Sequence, residues 1–230
     1  MACNAGPDII EDGLVLCLDA GNNNSYPKSG TTWSDLVGGN DATMTNMDAT
    51  NFSSDNGGIL NFDGADDYLT TASTVGITGS ADRSLCVWFY HNSTVADINI
   101  TGYGINGQQA IFDIIAEYTG GYHRAIGHFY GGGSNTISTL PSRNTLNYLG
   151  WNYVCLTYSY NNASVYTNGE FSNSKAIILS TADSTLKIGK ATYSPVDGYS
   201  GKIAGVQLYN KTLTADEVRS NYEATVGRFT

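Results

Sequence analysis

Short apolar runs separated by Gly, Asn, Asp or Ser recur along almost the whole chain. Those at residues 14–19, 59–62, 84–90, 110–115, 123–130, 153–158, 164–167, 185–188 and 202–209 have the length and the β-branched or aromatic content of strands. No helical period intervenes between them. Many short strands joined by turns predict an all-β, antiparallel sandwich in preference to a parallel α/β sheet.

Local signals refine that outline. Asn161 and Asn162 separate two strand-like pieces, and Asn168-Gly169 supplies the pair that best tolerates positive φ in a hairpin turn. Near the C-terminus Thr214 stands three residues before Glu217 as a capping box, with Leu213 and Val218 placed as a hydrophobic staple. A single helix is expected from there to about Thr225, stopping near Gly227 and held down by Val218 and Tyr222. The polar stretch 21–55 is weakly patterned, which suits a functional loop or a segment wrapping a sheet edge. Without an internal repeat or a linker, the chain divides into an N-terminal arm, residues 1–12, and one domain, residues 13–230.

Composition removes several classes of function. A length of 230 residues suffices for a core that needs no metal or disulfide. The net charge of −10 repels a phosphate backbone, so nucleic acid is not expected as a partner. No apolar stretch approaches a membrane span, and residues 1–12 lack the pattern of a secretory signal, so synthesis in the cytoplasm without membrane insertion is expected. The four cysteines, Cys3, Cys17, Cys86 and Cys155, are widely spaced and mostly sit in strand-like runs, which predicts free buried thiols.

Candidate chemistry is sparse. Asp63, Asp66 and Asp67 place three carboxylates around Gly64; they suit either Ca²⁺, with Asp19 and Asp197 as distant ligands, or an Asp-rich turn in which side chains cap backbone amides. Trp88 and Trp151 belong to strands and so to the core. Tyr103, Tyr118, Tyr122, Tyr130, Tyr193 and Tyr199 form a loop group suited to stacking on sugar faces or to protein contact. His91, His123 and His128 are separate in sequence and carry no zinc pattern. Gly102-Tyr-Gly104-Ile-Asn-Gly107 matches a dinucleotide fingerprint by letter only and reads as a flexible loop. No G-x-S-x-G elbow occurs.

Several segments together resemble a known family. These are Gly13-Leu-Val-Leu-Cys-Leu-Asp-Ala20, Asn61-Phe-Asp-Gly-Ala-Asp-Asp-Tyr68, Ser84-Leu-Cys-Val-Trp-Phe89, Trp151-Asn-Tyr-Val-Cys-Leu156, Tyr166-Thr-Asn-Gly169 and the closing stretch from Gly201 to Glu217. They are similar to the laminin-G-like, concanavalin-A-type jelly rolls. The opening Gly6-Pro-Asp-Ile-Ile10 and the ending Gly227-Arg-Phe229 resemble the versions carried in structural proteins of tailed bacteriophages, especially those of cyanobacteria. The resemblance implies a non-catalytic virion module, decorating a capsid or forming a small head, neck or tail appendage. It would dock on other virion proteins and adhere to host glycans, with a lectin-like module as the alternative. Related jelly rolls that hydrolyse glucans carry an E-x-D-x-x-E strand; none of the five Glu residues here falls in that pattern, so glycoside hydrolysis ranks last.

Overall fold

The computed structural model describes residues 8–94, 97–130, 135–140, 145–192 and 198–230. Numbered along the chain, the strands are β1 (Leu14–Asp19), β2 (Thr32–Trp33), β3 (Ala42–Thr45), β4 (Phe52–Ser53), β5 (Ile59–Asp63), β6 (Tyr68–Thr74), β7 (Arg83–His91), β8 (Ile98–Gly104), β9 (Ile111–Thr119), β10 (Tyr122–His128), β11 (Thr136–Ser138), β12 (Gly150–Ser159), β13 (Asn162–Thr167), β14 (Glu170–Ala176), β15 (Thr185–Ile188) and β16 (Ser200–Tyr209). One helix, α1 (Ala215–Thr225), follows. The strands form two eight-stranded antiparallel sheets. The first is ordered β14-β13-β12-β7-β16-β5-β4, with β1 also on β16; the second is ordered β11-β10-β9-β8-β15-β6-β3-β2.

Successive side chains of a strand point to opposite faces, and this alternation builds two cores. Leu85, Val87 and Phe89 of β7, with Val154 and Leu156 of β12, face Phe112 and Ile114 of β9 and Ile100 and Tyr103 of β8 between the sheets. The alternate residues Cys86 and Trp88 of β7, Tyr153 and Cys155 of β12 and Tyr209 of β16 point outward. There they are covered by Val218 and Ala224 of α1, together with Ile9 from the N-terminal arm. The apolar runs at 84–90 and 153–158 are therefore continuous because both of their faces are buried.

Three two-residue hairpins set the registers: Gly120-Gly121, Tyr160-Asn161 and Asn168-Gly169, all with both residues at positive φ as a type I′ turn requires. The turn after β12 is thus one residue earlier than the Asn161-Asn162 pair suggests, and it holds an aromatic residue in the left-handed region. Gly169 is irreplaceable for a second reason, since a Cβ there would come within 2.9 Å of the Tyr222 ring on α1. The stretch 21–55 proves to be an edge wrap. Within it β2 and β3 extend the second sheet while β4 ends the first. Gly102 and Gly104, expected in a loop, close strand β8.

The expectation of free thiols is overturned. The β7–β12 register sets Cys86 directly opposite Cys155, their Cα atoms are 4.1 Å apart, and the pair forms a disulfide. Such proximity is a product of strand register, which cysteine spacing does not report. Cys17 is disulfide-bonded as well; Cys3 lies outside the described residues.

Helix α1 forms where expected. The Thr214 hydroxyl accepts from Glu217 N at 3.3 Å and the Glu217 carboxylate accepts from Thr214 N at 2.8 Å. Asn221 then fastens the helix: its amide donates to the Tyr209 hydroxyl at 2.9 Å, and its carbonyl accepts from Ile10 N at 2.8 Å. The Trp88 indole donates to Thr225 Oγ1 at 2.8 Å. Replacing Asn221 by Ala strands a buried hydroxyl and a backbone amide, a loss of about 1–3 kcal/mol. At about 2–4 °C per kcal/mol for a domain of this size, calorimetry on Asn221→Ala should show the melting temperature several degrees lower.

Candidate functional site

At the end of the sandwich where β7 finishes and β12 begins, four rings gather. The Gly120-Gly121 turn places Tyr118 opposite His123 across β9 and β10, with ring centroids 4.6 Å apart. Tyr148, in the segment leading into β12, lies on the other side of His123 in a near-parallel stack at 4.4 Å and 10°. His91, at the end of β7 in the opposite sheet, completes the group: its Nε2 is 2.8 Å from His123 Nδ1, and its ring meets Tyr148 edge-on at 6.2 Å. The histidines that look separate in sequence thus join the two sheets. His91 is buried, and the site opens outward through Tyr148, 44% exposed; Tyr122, 46% exposed, lies on the other face of β10. Arg124 lies over the Tyr122 ring at 5.7 Å.

A hydrogen bond between two imidazoles requires one to donate and the other to accept. Burial, together with the neighbouring His123, pushes the His91 pKa down to about 4. Burial lowers His123 as well. Both effects favour neutral rings at neutral pH.

The six tyrosines picked out in the sequence separate into different environments. Tyr118 belongs to the ring cluster just described, whereas Tyr122 lies on the opposite face of β10 from His123. Tyr130 is partly exposed beyond β10. Tyr103 and Tyr199, expected in loops, are interior instead. Tyr103 lies on β8 and accepts from Arg83 Nη1 at 3.0 Å, while the Tyr199 hydroxyl donates to Tyr90 O at 2.6 Å. Both belong to the inter-sheet core: Tyr103 is turned inward on β8, and Tyr199, just before β16, packs against Phe62 with ring centroids 5.6 Å apart. Tyr193 lies outside the described residues. Sequence reasoning missed Tyr148 and the pairing of His91 with His123. The Gly120-Gly121 dipeptide was a usable signal for the Tyr118–His123 contact. Nothing local signals the contact between sheets.

The carboxylates of Asp63, Asp66 and Asp67 do converge, with ligand-type oxygens within 4.8 Å of one another. These side chains also organise the turn. Asp67 Oδ2 accepts from Asp63 N at 3.1 Å and from the Asn51 amide at 3.0 Å, and Asp63 Oδ1 accepts from Ala65 N at 2.8 Å. Burial, with added repulsion from Asp63, raises the Asp67 pKa above the usual carboxylate value. Asp19 does not join them; it pairs with Arg228 at 2.7 Å, and that guanidinium also donates to Gly58 O. Asp197 lies outside the described residues.

One buried acid escaped the sequence reading. Asp113 of β9 points away from the inter-sheet core, opposite Gly102 and His128, and accepts from the Thr192 hydroxyl at 2.9 Å. A Cβ on Gly102 would collide with its carboxylate, so the glycine makes room for the acid. Burial holds its pKa well above the ordinary value.

Asp67→Ala leaves the Asn51 amide and Asp63 N without their acceptor, which should cost about 1–3 kcal/mol. The melting temperature of this variant should fall by the same amount with CaCl₂ as with a chelator. A wild-type melting temperature that rises with CaCl₂, and a variant that does not respond, would assign a calcium ion to the three carboxylates.

No curated protein matches the sequence. Among solved structures, a sialidase of Trypanosoma rangeli in complex with the inhibitor DANA aligns with a TM-score of 0.66 and 17% identity, over 97% of this chain and 34% of that one. A heptameric SAP-like pentraxin from Limulus polyphemus aligns with a TM-score of 0.55 and 18% identity, over 70% of this chain and 79% of that one. The chain thus spans about a third of the sialidase's length, and at these identities the likeness is one of fold. The Laminin_G_3 family, described as the concanavalin A-like lectin/glucanases superfamily, matches residues 63–219. With more than half of its length in that match and two antiparallel sheets in a jelly-roll sandwich, the chain belongs to this family.

Proposed function

We propose that this jelly roll is a non-catalytic recognition module that adheres to glycans through the Tyr148–His123–Tyr118 end and is carried on a larger particle, a virion, by docking on its other proteins. The observation that carries the adhesive half is the exposed face of Tyr148, already backed by the His123 ring at 4.4 Å and so held flat toward solvent. Sugars present flat C–H faces that stack on such rings. The virion half rests on the phage-like ends of the sequence.

The spacing of the acids on β9 supports binding over hydrolysis at this sheet. Asp113 and Glu117 share the outward face of β9, but four residues of strand separate them by about 13 Å. Paired glycosidase carboxyls stand roughly 5–9.5 Å apart. A lectin-like protein acting on its own is the second reading, and one structural neighbour, a T. rangeli sialidase in complex with sialic acid, puts sialosides among the ligands to test.

On an array that includes sialylated glycans, the wild-type chain should give hits that weaken roughly fivefold in Tyr148→Ala, the equivalent of the about 1 kcal/mol of one aromatic contact. An array without hits removes the adhesive half. Mass spectrometry of purified particles should find the chain in fixed copy number, and its absence removes the virion half.

A further inference from the structure

We propose that the His91–His123 contact is an acid-sensitive latch: it joins the two sheets behind the Tyr148 face and releases that face when both imidazoles are protonated. The proposal rests on the recognition role of this end and supplies its regulation.

The contact closes the two sheets against each other at this end. His91 ends β7 in the first sheet and His123 is the second residue of β10 in the second, and the 2.8 Å distance between their nitrogens leaves no room for an intervening group. Backbone bonds tie the approach to β12 to both histidines. Leu146 N donates to His123 O at 3.0 Å and Leu149 N donates to His91 O at 2.8 Å. Tyr148 sits between those two donors, so its position depends on both histidines and on the stack with His123.

The two rings can share one proton, whereas a second proton leaves two donors and two positive charges face to face. The groups facing the pair are rings: Tyr118 from β9, Tyr148 from the segment before β12, and Phe89 from β7. The nearest charged neighbours in sequence, Glu117 and Arg124, pair with each other at 3.9 Å on the other face of the sheet. Among the described residues, no carboxylate is therefore in place to neutralise an imidazolium here. The sign follows from linkage. Rings that resist protonation in the folded state bind fewer protons than the unfolded chain, so stability is present above the ordinary histidine value of about 6.5. It is lost as pH falls toward about 4, the value held by His91.

The test is an NMR titration of the intact chain from pH 7.5 to 4, following the imidazole signals, the Tyr118 and Tyr148 ring signals, and amide protection at Leu146 and Leu149. The two histidines should titrate as a coupled pair below 6.5. The tyrosine rings should shift over the same range, and the protection factors should drop at least tenfold. His123→Phe keeps a ring in the stack and removes the titration, and should abolish the acid response. Should it fail to fold, His91→Leu serves the same purpose. Independent titration of both histidines near 6.5, or an unchanged tyrosine response in either variant, overturns the latch. Glycan binding is measured separately at pH 7.5. Its failure there removes the adhesive role without touching the latch, and a missing acid response with intact binding removes the latch alone.

Discussion

Strand β7 must be buried on both faces. Leu85, Val87 and Phe89 require a second sheet on one side, and Cys86 and Trp88 require a cover on the other. Much of the architecture answers that demand. β8 and β9 supply the inner cover, and α1 with the N-terminal arm supplies the outer one. Asn221 matters because it joins that outer cover to Tyr209 and Ile10 at once, so helix, sheet and arm are one packing unit. The C-terminal turn adds Phe229, stacked on Trp88 at 4.2 Å, to the same cluster.

Burial of this kind leaves few places where the fold can present chemistry. Ten residues of β12 and nine of β7 are committed to packing along most of their length, and it is at their ends that side chains reach solvent. The His91, His123, Tyr118 and Tyr148 group occupies such an end. It is an extension of the inter-sheet core, because Phe89 and His91 lie on the same face of β7, two residues apart. In the proposed role, recognition at this end and closure of the sandwich there share the same atoms.

The acids divide by environment in a way that suits a binding module. Asp19 pairs with Arg228, Asp63 and Asp67 serve a turn, and burial beside Thr192 raises the pKa of Asp113. Each already has a structural occupation.

By itself the sequence determined the fold class, the strands with strong apolar runs such as β1 and β15, the capped helix and the family. These depend on interactions between near neighbours: alternation, turn residues and the Thr214–Glu217 box. It missed β8 and β6, where Gly and Thr dilute the apolar signal and pairing with neighbouring strands supplies the order. It also misjudged Tyr103, Tyr199 and the cysteines. Tertiary structure alone decided that Cys86 faces Cys155, that two of the six tyrosines are interior, and that His91 meets His123 across the sandwich. Those facts arise from strand register and sheet packing between residues 32 to 69 positions apart, and local pattern does not encode such distances.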